Sequence, residues 1–185
     1  AIESVLNQTF KQFEFIIVND GSTDNSLDII TSFKDSRIKI IDQENKGLAQ
    51  ALNIAIKTAK GNYIARLDAD DVALPTRFEK QFEFLEKNLE CVALGSNAIY
   101  TTEEGKELYT SNYPTSWTAI QKNLPIKIPF FHSAVIFRKN ICIKCGYYDE
   151  TIENSYEDII LWNRMSKFGE LRNLKEVLIK YRFVP

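Results

Sequence analysis

The sequence predicts an α/β domain built on a mostly parallel sheet, and two observations carry that reading. Short apolar runs of β character alternate with segments whose apolar residues recur at helical spacing, which is the pattern of successive βα units. Each of the first three runs also ends in an aspartate: Asp20, Asp42 and Asp68. Ligands bind beyond the carboxyl ends of the strands in an open parallel sheet, so the pattern predicts three carboxylates on one rim.

The elements follow in order. Residues 15–18, 38–41 and 63–67 read as strands. Between them Leu27, Ile30 and Phe33 share one helical face, as do Leu48, Leu52, Ala55 and Ala59. A third helix follows Pro75, with Phe78, Phe82, Leu85 and Leu89 on one stripe and the proline near its first turn. Residues 92–100 read as a strand and 103–106 as a turn. Pro114, Pro125 and Pro129 mark 111–131 as a mobile connection holding a short helix at 116–124. A strand at 134–138, a helix at 157–168 and a strand at 177–183 complete the pattern, with no internal repeat or low-complexity linker. Ile2, Val5 and Leu6 lie at helical spacing, so the chain opens within a helix. A parallel sheet normally feeds such a helix from a preceding strand. A leading strand is therefore expected to be missing, and a C-terminal extension is expected to be missing as well.

Composition bounds the rest. At 185 residues the chain is one domain, 1–185, long enough to bury a core without disulfide or metal staples. Lysine and arginine number 23 against 25 acids, which leaves no basic footprint for nucleic acid. No apolar run approaches the ~20 residues of a membrane helix, and residues 1–10 lack the pattern of a secretory signal. Three cysteines (Cys91, Cys142 and Cys145) are an odd, sparse set that suits a reducing compartment. The expected location is cytoplasmic. Cys142 and Cys145 form a Cys-x-x-Cys, but structural zinc needs four ligands and no second pair exists, so both thiols read as packing residues.

The densest chemical signal is Asp68-Ala69-Asp70-Asp71, three acids in four residues. Adjacent carboxylates repel unless water or a cation relieves them. Mg²⁺ held by one or two carboxylates and by substrate phosphates is the usual relief. The run Asn19-Asp20-Gly21-Ser22-Thr23-Asp24 fits turn and helix-cap chemistry as well as a ligand site. Glu157-Asp158 likewise fits ordinary complementation of a helix dipole. There Asp158, Leu161, Trp162 and Met165 share a face, so the acid projects from the first turn over an apolar anchor.

Taken in order, the motifs resemble those of the family 2 glycosyltransferases, which have the GT-A fold. Residues 15–24, ending Asn-Asp-Gly-Ser-Thr-Asp, resemble that family's nucleotide-binding segment, and 45–53 its next motif. Residues 64–71, followed by Pro75, Arg77 and Gln81, resemble its metal-binding Asp-x-Asp segment. Residues 145–150 and 156–164 resemble the acceptor-side motif that holds the base. The match spans nearly the whole chain. Each motif alone is loose; five in order are specific.

That resemblance implies a GT-A mixed, mostly parallel sheet flanked by helices. Residues 1–90 would form a nucleotide-binding half and 91–185 an acceptor-side half. Asp20 would contact the nucleotide base and Asp68 the ribose, with Asn45 and Gly47 in the donor loop. Asp70, with Asp71 beside it, would hold Mn²⁺ or Mg²⁺ against the diphosphate. Many relatives carry arginine where this chain has Leu52, and Arg66 is the candidate replacement. Asp158 would be the general base, with His132, Glu157 and Trp162 as acceptor contacts. The implied reaction moves a sugar from a nucleotide diphosphate, UDP being favoured, to a hydroxyl of a saccharide or lipid-linked saccharide, with inversion. Bacterial surface polysaccharide synthesis is the implied setting, and peripheral association with the inner membrane face stays open.

The chemistry is coherent, since a cation neutralises the leaving diphosphate and one carboxylate takes the acceptor proton. Three other readings compete. A non-catalytic sugar-nucleotide-binding module would keep Asp20 and Asp70 without turnover. A haloacid-dehalogenase-type phosphatase would use Asp68 as nucleophile, but on the first strand of its fold. A nucleotidyltransferase would use a related sheet and metal.

Overall fold

The computed structural model describes residues 1–124, 127–152 and 156–183. The chain opens with helix α1 (Ile2–Leu6) and continues through β1 (Phe15–Asp20), α2 (Ser26–Ser32), β2 (Ile38–Gln43) and α3 (Leu48–Thr58). Strand β3 (Tyr63–Ala65), the short β4 (Val72–Ala73) and α4 (Arg77–Lys87) follow. The second half holds β5 (Cys91–Thr101), β6 (Glu107–Thr110), α5 (Trp117–Gln121), a 3₁₀ turn at His132–Ala134, β7 (Ile136–Arg138), α6 (Lys139–Lys144), α7 (Glu157–Met165) and β8 (Glu170–Arg182). Among the described residues no helix is long and apolar enough to cross a membrane.

β1 and β2 pair in parallel, Phe15 opposite Ile38 through Asp20 opposite Gln43, as a two-stranded sheet of their own. The larger sheet runs β3-β7-β5-β8-β4, with β6 added beside β5. β3, β5 and β8 share one direction, because β7 lies antiparallel between β3 and β5 while β5 and β8 are parallel. Their carboxyl ends therefore meet at one edge, and the start of the reversed β7 meets them there.

β5 is buried from Cys91 to Ala98, as a central strand covered on both faces must be. On one face α7 sets Leu161, Trp162 and Met165 against Val92, Phe130, Phe137 and Leu171. On the other, Leu85 of α4 meets Cys91, Leu94 and Ile136. Successive residues Ile136 and Phe137 point to opposite layers, as strand geometry requires. All three cysteines are free and buried, in keeping with their reading as packing residues.

The departures from the expected elements have local causes. β8 begins at Glu170, well before the expected 177, because Asn173 is buried and donates to the Pro114 and Pro129 carbonyls at 2.9 and 2.8 Å. A polar residue interrupts the apolar run without interrupting the strand. β3 stops at Ala65, although the Arg66 N–H still reaches the Val135 carbonyl at 3.0 Å. The expected strand at 134–138 is shortened to Ile136–Arg138, with Ala134 closing the 3₁₀ turn. α7 ends at Met165 rather than 168. β4, β6 and α6 carry too few residues for a periodic pattern. Pro125 of the expected connection lies outside the described residues.

Gly95 marks the tightest approach in the core. A Cβ there would strike the Asn173 carboxamide and come within 2.6 Å of the Phe130 ring. Asn173 is pinned by two carbonyls and cannot retreat. Gly95→Ala is expected to lower unfolding stability by about 1–3 kcal/mol, the usual size of core overpacking, read from the urea midpoint.

Candidate active site

At the end of β1, Asp20 is organised by the loop that follows β2. Its Oδ1 accepts from Gln43 Nε2 at 2.6 Å and from the Lys46 N–H at 3.0 Å, and its Oδ2 accepts from the Gly47 N–H at 2.9 Å. Partial burial alone would raise this carboxyl, but those three donors outweigh it and hold the group below its usual range. Gly21 takes φ +72° with the Asn45 backbone against it, so a side chain there would collide. The Asn45 side-chain oxygen also accepts from the Gly47 N–H, at 3.2 Å. Asp20, Asn45 and Gly47 thus form one cluster that presents backbone around a fixed carboxylate. Asp42 does not join it: exposed on β2, it accepts from Asn19 Nδ2 at 2.7 Å.

A second cluster follows β3. Arg66 is 8% exposed and grips Asp68 with both terminal nitrogens, at 2.7 and 2.5 Å. The Asp68 N–H donates to the Ser133 hydroxyl at 3.0 Å, which fastens the acid loop to the turn before β7. Beneath it Arg77 is wholly buried and donates to the carbonyls of Arg66 and Val135 at 2.6 and 3.2 Å. Burial, then the nearby Arg66 charge, pulls the Arg77 guanidinium down to about 9. Asp71 lies differently from its expected place beside a metal. It is fully buried, its Oδ1 accepts from the Arg182 N–H at 2.9 Å, and its Oδ2 makes no hydrogen bond of ordinary geometry. Asp71 braces β8 against the acid loop and does not face solvent. Burial first, with the Asp68 and Asp70 charges adding, pushes it up to about 6 despite the Ser133 hydroxyl and the Arg182 N–H. Asp70 is the exposed acid of the group.

The third component comes from the 3₁₀ turn and α7. His132 Nε2 lies 2.8 Å from the Tyr148 hydroxyl, and Nδ1 lies 3.8 Å from Glu157. Burial, then the Arg66 charge, holds the imidazole well below its ordinary value, so it is neutral near pH 7. Asp158 is 6% exposed, with Oδ1 accepting from the Ile159 N–H at 2.6 Å. Burial raises its pKa and the Glu157 charge adds to the rise, while the Ile159 N–H and Arg66 oppose it. A carboxyl raised in this way is suited to taking a proton. Trp162, expected as an acceptor contact, is fully buried. Its ring packs edge-on against Phe130 at 5.4 Å and lies 5.7 Å from Phe137, so it is core with no surface to offer.

The fold therefore joins Arg66, Asp68, Asp71, His132, Glu157 and Asp158 around one edge. Among the described residues no hydrogen bond or ion pair links them to the Asp20 cluster. Ser133, Tyr148 and Arg182 also take part; Tyr148 lies within the 145–150 motif, and nothing in the local sequence marks Ser133 or Arg182. Arg77 and Gln81 carried a signal, as two polar residues four apart on a buried helix face, where Arg77 Nε donates to Gln81 Oε1 at 3.1 Å. Among the described residues no three His, Cys, Asp or Glu side chains form a ready metal cage. Asp70, exposed and without a hydrogen bond among the described residues, does fit a Mg²⁺ or Mn²⁺ site completed by substrate phosphates.

Comparison with known proteins identifies the family of the chain. A family model described as glycosyl transferase family 2 matches residues 1–146. The amylovoran biosynthesis glycosyltransferase AmsE of Erwinia amylovora is 35% identical over 98% of the chain and 68% of its own length. The O-antigen biosynthesis glycosyltransferase WbnJ of Escherichia coli is 36% identical over 98% of the chain and 72% of its own length. The crystal structure of S. aureus TarS 1–349 in complex with UDP superposes with a TM-score of 0.80 at 18% identity, covering 100% of this chain and 56% of that one. The chain thus spans about two thirds of these relatives and little more than half of the crystallised TarS segment.

Asp71 gives this site a pH signature. A folded value of about 6 against an ordinary 3.8 means that the native state holds this proton more tightly. Its contribution to stability is full below about pH 4 and is lost as pH rises through about 6. Asp71→Asn, which cannot ionise, should gain on the wild type between pH ~4 and ~7, by at most about 3 kcal/mol. Urea melts of both proteins across that range measure the gain, and parallel curves would contradict it.

Proposed function

The chain belongs to glycosyl transferase family 2, and on that premise we propose that it transfers a sugar, with inversion, from a UDP-sugar to a hydroxyl of a polysaccharide acceptor. The observation that carries this reading is a buried carboxyl of raised pKa, Asp158, on the same edge as the Arg66–Asp68 pair and the exposed Asp70. AmsE and WbnJ bear names from amylovoran and O-antigen biosynthesis, which supports a surface polysaccharide as product. TarS was crystallised with UDP and with UDP-GlcNAc, which supports a uridine donor.

In this mechanism Asp20 and the Gly47 N–H order the donor loop around the base, and Asp68, held by Arg66, receives the ribose. Arg66 brings positive charge beside the diphosphate. Asp70 would hold Mg²⁺ or Mn²⁺, which when bound neutralises charge on the leaving phosphates. Asp158 takes the proton of the acceptor hydroxyl as its oxygen bonds to the anomeric carbon. The bond from that carbon to the diphosphate oxygen breaks on the opposite face, and its electron pair leaves with the nucleotide. One attack from one face inverts the centre. Neutral His132 and Glu157 border the base and suit contacts to acceptor hydroxyls. The phosphatase reading needs Asp68 free as a nucleophile, whereas here both of its oxygens are held by Arg66.

Asp158→Asn is expected to reduce transfer by about 10²–10⁴-fold, the usual worth of a general base. The thermal shift produced by UDP with Mn²⁺ should persist in that variant. Unreduced transfer would remove Asp158 from the mechanism, and a wild type without transfer would favour a binding module. In the wild type, kcat/KM for the acceptor should fall as pH drops through a value above the ordinary carboxylate range, since protonated Asp158 cannot act as base. A melt series with UDP, GDP, CDP and dTDP, each with and without Mn²⁺, identifies the donor base and tests the metal.

A further inference from the structure

Beside the acid edge lies an aromatic surface that the mechanism above does not use. Tyr100 on β5 and Tyr109 on β6 are direct cross-strand partners. Their rings stack with centroids 4.3 Å apart and planes 22° apart. Tyr100 meets Phe131, Tyr181 and Phe183 edge-on at 5.3, 5.3 and 6.0 Å. Phe131 in turn meets Tyr113 at 5.1 Å. Phe131 is buried and Tyr100, Tyr113 and Tyr181 are half-buried, whereas Phe183 and, at 55%, Tyr109 are exposed. One ring face covers Tyr100, and among the described residues no other aromatic ring stacks on Tyr109.

The cluster is built onto the active edge. Phe131 immediately precedes His132, which faces Glu157. The Arg182 N–H beside Tyr181 is held by Asp71. Tyr181 is raised by burial and then by the charges of Asp71, Asp68 and Asp70, and Tyr113 by burial and then by that of Asp158. The platform therefore stands over the acids that would bind the donor and deprotonate the acceptor.

We propose that the outer face of Tyr109, backed by Tyr100 and joined through it to Phe131 and Phe183, is a stacking subsite for a pyranose ring of the saccharide acceptor. This rests on the glycosyltransferase reading and extends it to residues with no role in the chemistry itself. A pyranose presents a face of C–H bonds with partial positive charge, which complements the negative face of an aromatic ring. Its edge carries hydroxyls, and the tyrosine rim offers phenolic partners. A ring that carries one apolar and one wet end suits a half-polar ligand better than a lipid tail. The surrounding charge points the same way. Glu103, Glu104 and Glu107 outnumber Lys106 in the hairpin, and Lys180 is taken up by Glu107 at 2.9 Å, so the described residues of this face offer no basic cluster to an anionic bilayer.

The test compares wild type, Tyr109→Phe and Tyr109→Leu on a glycan array that includes bacterial surface saccharides, in the presence of UDP and Mn²⁺. Phenylalanine keeps the ring, whereas leucine keeps apolar cover over Tyr100 and loses the stacking face. The expected result is a saccharide set retained by wild type and by Tyr109→Phe but about 3- to 10-fold more weakly by Tyr109→Leu, the size of one aromatic contact. The UDP-dependent thermal shift should be equal in all three, which shows that the fold and donor site are intact. Equal retention by Tyr109→Leu, or no saccharide retained by the wild type, overturns the proposal. So does a Tyr109-dependent affinity for phosphatidylglycerol vesicles in place of saccharides. Tyr109-dependent retention without any UDP shift would leave the subsite standing and remove the donor reading instead.

Discussion

Two guanidinium groups buried side by side set the layout of the active edge. Arg66 and Arg77 each lie in the protein interior, and a buried charge is tolerated only when it is paired and hydrogen-bonded. Arg77 meets the hydrogen-bonding part of that demand with the backbone carbonyls of Arg66 and Val135, which fixes the end of β3 against the start of β7. Arg66 meets it with Asp68, which turns the acid loop inward. Asp71 brings further negative charge and is anchored to β8 through Arg182. The acids are thus structural counter-charges as well as chemical groups, and the edge is arranged before any donor arrives.

The same economy runs through the rest of the polar interior. Asn53 on α3 donates to the Tyr148 carbonyl at 2.9 Å and accepts from the Tyr148 N–H at 3.0 Å, so the segment leading toward α7 is tied to the first half of the chain. Gln81 donates to the Ala134 carbonyl at 2.8 Å and so holds the 3₁₀ turn that carries His132. Asn173 joins the connection before the turn to β8. Each of these amides satisfies loop carbonyls that the sheet leaves unpaired. Loops present the candidate side chains, and buried amides hold the loops in place. Asp158 projects from the first turn of α7, whose apolar side is locked by Leu161, Trp162 and Met165. A carboxyl on a rigid helix start is held in one direction; the same acid on a free loop would not be.

Several features were legible from the chain alone because they rest on local physics. The alternation of strand and helix periods located β1, α2, β2, α3, α4 and β5 within a few residues, and the motif order identified the family. Asp68 and Asp158 stood out because acids at a strand end or a helix start are positioned by their own elements. Short elements were not legible: β4 and β6 span two and four residues, too few for a period to register. The early start of β8 was hidden by Arg172, Asn173, Lys175 and Glu176, whose polarity reads as a loop until the partner carbonyls are known. Trp162 looked able to line a site, and only packing revealed it as core.

The sequence by itself determined the class of fold, the family and the identity of the acids, since periodicity, strand-end placement and motif spacing are properties of neighbouring residues. Tertiary structure alone decided what each acid does. Asp70 faces solvent, Asp71 is consumed by a backbone N–H more than a hundred residues away, and Asp68 is closed by Arg66. Burial and charge pairing depend on segments distant in the chain, and no local pattern encodes them. The same holds for the aromatic platform, whose six rings come from four separate stretches and meet only when β5, β6 and β8 close.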